Sequence, residues 1–239
     1  MDTEKLSYKE SFKIRASEVA SNHQATLPAI GNLLQEIAGN HARKLSFDIT
    51  DLQENNRTWV LHRLHIQMER LPDWRETICI QTWPSGGDGL RAHRDFLILD
   101  NKETIIGRAL SYWLILDIES RRPTRIPEEI LKKVPTNSDH VLQQNEFPSQ
   151  PIESPVSKKY FTVRKSDLDL NNHVNNVRFV EWMFSCLPDS TPIKNIDIVF
   201  KAESTYGDKI IARQMNTDEH TYLQVVTEPT NKILAEAVI

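Results

Sequence analysis

Residues 166–176, S-D-L-D-L-N-N-H-V-N-N, place two carboxylates, four amides and one imidazole directly ahead of an apolar helical pattern. Asp169, Asn171 and His173 fall two residues apart. On an extended backbone that spacing sends all three side chains to one side. A helix start adds unpaired backbone N–H groups and a dipole that favours developing negative charge. A base or nucleophile, an orienting amide and oxyanion donors together suit attack on a carbonyl. Asn and Asp ahead of a helix are also ordinary caps and turn formers, so the motif is weighed against the rest of the chain.

The elements that must hold this run occur twice. In the first half, residues 7–19 read as a strand and residues 25–45 as a helix. Leu27, Ile30, Leu33, Leu34, Ile37 and Ala38 recur at three and four residues, with Pro28 in the first turn. Four strand patterns follow, at 57–71, 74–83, 90–99 and 104–116. Gly86, Gly87 and Gly89 lie between two of them and read as a hairpin loop, since no helix follows that would make a phosphate cradle. In the second half, residues 159–165 read as a strand and 175–187 as a helix with Val177, Val180, Met183, Phe184 and Leu187 on one face. Strand patterns then cover 193–203, 208–215, 222–226 and 233–239. The shared order of strand, helix and four strands signals duplication.

Between the halves, prolines at 123, 127, 135, 148, 151 and 155 run through polar sequence, with one short helix expected at 128–133. Such a length of chain is a connector able to cross a molecule. The expected organisation is a unit at 1–126, a connector at 127–157 and a unit at 158–239. Laying residues 14–24 against 163–173 sets Ala20 opposite Asp169, Asn22 opposite Asn171 and Gln24 opposite His173. The first copy therefore keeps the frame without the carboxylate and imidazole, and the chemistry belongs to the second.

Charged residues at 26% and hydrophobic residues at 39% describe a globular chain. No apolar run approaches the ~20 residues that span a bilayer, and the polar start M-D-T-E-K-L-S-Y-K-E lacks a secretory core, so no membrane association is expected. Two cysteines, Cys79 and Cys186, suit free thiols in a reducing cytoplasm. A net charge of −4 argues against a nucleic-acid partner. There is no G-x-S-x-G elbow. His62 and His65, three apart in a strand pattern, face opposite sides, so neither metal nor cofactor is expected.

One helix across an antiparallel sheet, present twice, gives an α+β fold of two tandem hotdog units. At this point the chain resembles the acyl-acyl carrier protein thioesterase family. The resemblance rests on T-W-V-L-H-R-L-H-I-Q-M (58–68), R-L-P-D-W-R-E-T-I (70–78), R-D-F-L-I-L-D (94–100), S-R-R-P-T-R-I-P (120–127) and the 166–176 run. It implies hydrolysis of a fatty acyl thioester to free acid and carrier thiol, with functional roles for Asp169, Asn171 and His173. It also points to Glu203 in F-K-A-E-S, where Ser204 replaces the cysteine common in plant members and rules out a thiol nucleophile there. Strict alternation places Glu203 on the face opposite Ile196, Ile198, Phe200 and Ala202, so it reaches a site only if the strand ends or bulges.

Two mechanisms stay open. Either His173 or Asp169 serves as general base toward water, or the Asp169 carboxylate attacks and forms an anhydride. Asn171 would orient water or acid, and the N–H groups of Val174 and Asn175 would bind the thioester oxygen. Val60, Leu64, Ile66 and Met68 share a strand face by strict alternation, with His62 among them, and would line an acyl tunnel in the first, non-catalytic copy. The implied partner is an acyl carrier protein bearing an acyl-phosphopantetheine. Because both proteins are acidic, docking would need a local basic patch. Candidates are Arg121, Arg122 and Arg125, then Lys158, Lys159, Arg164 and Lys165, and Arg178. An acyl-CoA thioesterase and a non-catalytic acyl-binding protein are the competing readings. Oligomeric state, a homodimer included, is left open by the sequence.

Overall fold

The computed structural model describes residues 6–135, 139–188, 191 and 193–239. Residues 1–5 of the polar N-terminal run and 136–138 of the expected connector lie outside the described residues. The chain divides into two units, Met1–Gln144 and Asn145–Ile239.

In the first unit, β1 (Tyr8–Lys13) precedes the long helix α1 (Leu27–Lys44) and a short helix, α2 (Ile49–Gln53). Then come β2 (Arg57–Met68), β3 (Thr77–Gly87), β4 (Arg91–Leu99), β5 (Ile105–Asp117), β6 (Pro123–Thr124) and α3 (Glu128–Leu131). The strands pair antiparallel in the order β1-β3-β4-β5-β2, with β6 on the end of β5. α1 forms as its periodicity predicts. The Thr26 side chain accepts from the Ala29 N–H at its start, Pro28 occupies the first turn, and Arg43 and Lys44 sit in the last turn against the negative end of the dipole. Its buried stripe of Ile30, Leu34 and Ile37 is at most 1% exposed, worth about 1.5–3 kcal/mol per side chain.

The second unit repeats the scheme with β7 (Ser157–Thr162), α4 (Asn176–Phe184), β8 (Asn195–Phe200), β9 (Lys209–Asn216), β10 (Thr221–Thr227) and β11 (Ile233–Val238). Its antiparallel order is β8-β11-β10-β9-β7. Each unit is thus a helix on an antiparallel sheet, the expected hotdog arrangement.

The opening strand of each unit is shorter than expected. β1 stops at Lys13 and β7 at Thr162, and each is followed by a single 3-10 turn, Ala16–Glu18 and Lys165–Asp167. An acid three residues after an arginine causes both. Glu18 accepts the Arg15 N–H at 2.7 Å and Asp167 accepts the Arg164 N–H at 2.8 Å, each closing a turn that an extended chain would leave open. The glycine cluster does belong to a hairpin, but β3 runs on through Gly87 across a bulge. A Cβ on Gly87 would collide with the Arg91 carbonyl oxygen.

The proline-rich connecting stretch is tied down from both sides. In the first unit, Asp95 is fully buried on β4 and takes the Val141 N–H at 2.7 Å, with His140 Nδ1 also 2.7 Å away. Leu142 packs there with Leu110 and Tyr112. In the second unit, Ser149 donates to buried Glu236 at 2.8 Å, Gln224 donates to the Gln150 carbonyl, and Ile152 packs on Tyr222 and Val238. Among the described residues no helix is long and apolar enough to cross a membrane.

Candidate active site

Residues 168–174 form a closed turn rather than the extended run that a period of two suggests. Leu168 bridges Val174 antiparallel, the Asp169 N–H donates to the His173 carbonyl at 2.8 Å, and the Asn172 N–H donates to the Asp169 carbonyl at 3.1 Å. Asn172 takes the left-handed conformation, φ 60°, which asparagine tolerates better than most residues. The Asp169 carboxylate fastens the turn. Its Oδ1 accepts the backbone N–H groups of Asn171 at 2.8 Å and His173 at 3.3 Å. Directly after the turn, Asn175 caps α4 by accepting the Val177 N–H at 3.1 Å.

Glu203 reaches this turn because β8 ends before it. The N–H groups of Lys201 and Ala202 both donate to the Leu234 carbonyl, at 2.8 and 3.2 Å. Two successive donors on one acceptor break the alternation. Glu203 Oε2 then lies 3.5 Å from His173 Nε2, with the two side chains 34% and 28% exposed. The structure therefore brings His173 and Glu203 together and sets Asp169 beneath the same turn as a backbone anchor. Ser204, next in the chain, is buried and donates to Asp208 Oδ2 at 2.8 Å, which holds the loop rather than the chemistry.

The two expected oxyanion donors are already engaged. The Val174 N–H donates to the Ser204 carbonyl and the Asn175 N–H to the Asp167 carbonyl, both at 2.9 Å. The first α4 amide without a protein acceptor among the described residues is that of Asn176.

The expected tunnel face is corrected by one residue. β2 bulges at His62, so Leu61 pairs with Trp113 and Arg63 with Tyr112. Leu64, Ile66 and Met68 stay on one buried face, but Val60, opposite Leu114, turns to the other; Leu61 takes its place. The basic candidates divide likewise. Lys158 and Lys159 are consecutive on β7 and point to opposite faces. Lys165 lies over the Tyr206 ring, 5.7 Å from its centre, three residues past Glu203 in the loop. Arg178 pairs with Glu181 at 2.6 Å and approaches buried Asp167 at 4.0 Å. Arg121, Arg122 and Arg125 belong to the first unit, at and after the β5–β6 turn.

The same turn occurs in the first unit, bond for bond. The Ala20 N–H donates to the Gln24 carbonyl, His23 to Ala20, Thr26 to Glu18 and Ala25 to Pro72. His23, at φ 65°, stands where Asn172 does. Two additions close this copy. Gln24 bridges Asp73, and the Trp74 N–H donates to the His23 carbonyl at 2.8 Å while the Trp74 and His23 rings stack at 6.2 Å.

Residues 5–134 match the family model described as the acyl-ACP thioesterase N-terminal domain, and residues 150–237 match the acyl-ACP thioesterase C-terminal domain. The chain is 29% identical over 229 residues to a chloroplastic oleoyl-acyl carrier protein thioesterase of Coriandrum sativum, covering 86% of this chain and 61% of the relative. It is 32% identical over 219 residues to a chloroplastic dodecanoyl-[acyl-carrier-protein] hydrolase of Cinnamomum camphora, covering 84% and 57%. It thus spans about three fifths of the length of these curated relatives. Among solved structures, an acyl-ACP thioesterase from Bacteroides thetaiotaomicron superposes with a TM-score of 0.90 at 26% identity, covering 100% of this chain and 98% of that one. A 12:0-ACP thioesterase from Umbellularia californica shares the fold, with a TM-score of 0.86 at 23% identity over 97% and 95% of the two chains.

Proposed function

The chain belongs to the acyl-ACP thioesterase family, and on that premise we propose that it hydrolyses fatty acyl-acyl carrier protein thioesters to free fatty acid and carrier thiol. The second unit carries the chemistry and the first holds the acyl chain. The observation that carries this reading is the His173–Glu203 pair at the mouth of a turn that Asp169 fastens.

His173 accepts a proton from water as the water attacks the thioester carbonyl, and Glu203 orients the imidazole and stabilises the imidazolium that forms. The tetrahedral intermediate then expels the thiolate, which takes the proton back from His173. The Asn176 N–H, at the positive end of the α4 dipole, stabilises the oxyanion in place of the engaged Val174 and Asn175 amides. Asn171 orients the attacking water. Asp169 keeps the turn in shape; with Oδ1 bound to two amides, it serves as a positioning residue and not as the attacking group. No metal or cofactor enters these steps. The acidic carrier is met by a local basic surface around Lys165 rather than by the bulk charge of the chain. The two free thiols suit a reducing compartment such as the cytoplasm.

Thiol release from matched acyl-carrier-protein and acyl-CoA substrates tests the reading, and faster turnover of the CoA thioester would replace it with the acyl-CoA alternative. Single-turnover hydrolysis in ¹⁸O-water tests the mechanism. Label in the fatty acid alone is expected; label in the Asp169 carboxylate would reveal an anhydride and overturn the general-base route.

A further inference from the structure

The loop that carries Glu203 is built twice in this chain, with the same main-chain bonds. In the second unit the Lys201 and Ala202 N–H groups share the Leu234 carbonyl; in the first the Glu69 and Arg70 N–H groups share that of Ile106. The Gly207 N–H donates to the Val163 carbonyl and the Val163 N–H to that of Asp208, just as the Arg75 N–H donates to Ile14 and the Ile14 N–H to Glu76. Glu203 therefore stands where Leu71 does, Ser204 where Pro72 does and Asp208 where Glu76 does.

The acid at the end of the loop fastens it in both copies, but with different donors. Glu76 accepts the Asp73 N–H at 2.9 Å and the two Arg70 Nη groups at 2.9 and 2.7 Å. Asp208 Oδ2 accepts the Thr205 N–H at 2.8 Å in the same way. Ala202 takes the place of Arg70 and is too short to reach, and the second bond comes instead from the Ser204 hydroxyl at 2.8 Å. Ser204 is 2% exposed, and its carbonyl accepts the Val174 N–H at 2.9 Å. One residue thus joins the loop to the 168–174 turn through its backbone and to Asp208 through its side chain. His173 and Glu203 each sit one residue before an end of that Val174–Ser204 bond, so a slip of Ser204 alters their 3.5 Å separation. Upstream, Lys201 is held by buried Glu236 at 2.7 Å. Downstream, the hold is Asp208.

We propose that Asp208 is a positioning residue for the hydrolysis: by clasping Ser204 and Thr205 it keeps Glu203 within reach of His173. The proposal rests on the reading that Glu203 acts through His173. A glutamate side chain is rich in rotamers and takes no fixed direction from a loose backbone. A carboxylate that accepts the neighbouring hydroxyl and the next amide removes that freedom at the residue that follows Glu203. Misplacing a reacting group by ~1 Å costs up to about a hundredfold in rate, so a clasp that touches no substrate still governs turnover.

Steady-state kinetics of Asp208→Ala, Asp208→Asn and Asp208→Ala/Glu203→Gln on an acyl-carrier-protein substrate, with crystal structures of the native and Asp208→Ala proteins, test the proposal. Asp208→Ala should lower kcat about tenfold with KM little changed, since the loss falls on the transition state. Asp208→Asn keeps an oxygen able to accept both bonds and should recover most of that loss. The double variant should be no slower than Glu203→Gln alone. In the Asp208→Ala structure Glu203 should lie beyond ion-pair reach of His173, more than about 4 Å away. A clasp that only stabilised the fold would lower the thermal midpoint and move none of these. Native kcat in Asp208→Ala, additive losses in the double variant, or an Asp208→Ala structure with the His173–Glu203 pair intact would each overturn the proposal. If Asp208→Ala does not fold, Ser204→Ala, which leaves the Thr205 bond in place, enters the same cycle. If the native protein hydrolyses no acyl thioester, the proposed activity fails and the comparison of structures alone decides the clasp.

Discussion

Replacing Glu203 with glutamine removes one negative charge 3.5 Å from His173 Nε2 while preserving side-chain shape. At that separation Coulomb's law gives about 1 kcal/mol at the dielectric of water and about 5 kcal/mol at the effective value near a protein surface. Both side chains keep roughly a third of their surface, 28% for His173 and 34% for Glu203, so solvent screens the pair toward the lower figure. A loss of about 1–2 kcal/mol follows, or roughly 5–30-fold in turnover. Because the interaction strengthens only as the imidazole gains its proton, kcat and kcat/KM should fall together with KM little changed. Thiol release under single-turnover conditions measures this directly. The decisive comparison is a double-mutant cycle with His173→Ala. If Glu203 acts through His173, the double variant should be no slower than His173→Ala alone. Additive losses would refute the reasoning and give Glu203 an independent role.

Asp169→Ala removes the acceptor for two backbone amides, so it should cost about 1–2 kcal/mol of stability as well as at least an order of magnitude in turnover. Asp169→Asn keeps an oxygen at the Oδ1 position, and recovery of both stability and most of the activity would mark a positioning residue, whereas an inactive but stable Asn variant would restore a chemical role. Burial holds His41 and His93 down to about 4, with Arg94 adding to the effect at His41 and His140 at His93. The unfolded chain binds their protons as pH falls through ~6.5 and the folded chain does not until ~4. Stability is therefore complete above about 6.5 and declines toward 4, by about 1–2 kcal/mol per histidine after allowance for solvent screening. Urea midpoints at pH 7 and pH 5 measure this, and His41→Asn should remove its share of the difference; a pH-independent midpoint would contradict it. Lys165→Glu should raise KM for acyl-carrier-protein substrates most at low salt and leave a short uncharged thioester unaffected, whereas Lys158→Glu and Lys159→Glu, on opposite faces of an edge strand, should not act in concert. Equal effects on both substrates would exclude Lys165 from carrier docking.

Local signals carried most of the fold. The three-and-four spacing of Leu27, Ile30, Leu34 and Ile37 located α1, and alternation located the strands, because each depends on neighbours a few residues away. The bulge at His62 left no such trace: an inserted residue changes the phase of β2 without changing its composition, and that phase decides whether Val60 or Leu61 faces the core. The end of β8 at Phe200 was equally silent, since F-K-A-E-S alternates as a strand should while the shared Leu234 acceptor lies in a strand distant in sequence. R-D-F-L-I-L-D likewise reads as an ordinary strand. That Arg94 would be buried against His41, and that Asp95 would clamp residues 140 and 141, depends on contacts 45 to 53 residues apart.

The duplicated turns give the clearest argument for where the chemistry lies. Both copies spend the same backbone hydrogen bonds to make the same bend, so the bend itself is scaffold. In the first copy Trp74 closes onto His23 and Gln24 bridges Asp73. That seals the ground between the turn and the following loop with a ring stack and main-chain bonds. In the second copy Tyr206 and Thr205 occupy the corresponding loop positions. Tyr206 is 61% exposed and lies against Lys165 instead of the turn. With that zipper absent, Glu203 turns toward His173 across space that the first copy fills. Grafting Asp at position 20 and His at position 24 should therefore leave the first copy inert while Trp74 remains. Active-site titration of Ala20→Asp/Gln24→His should still give one site per chain, and two sites would show that the loss of polar side chains, rather than the closed loop, is what silences this copy.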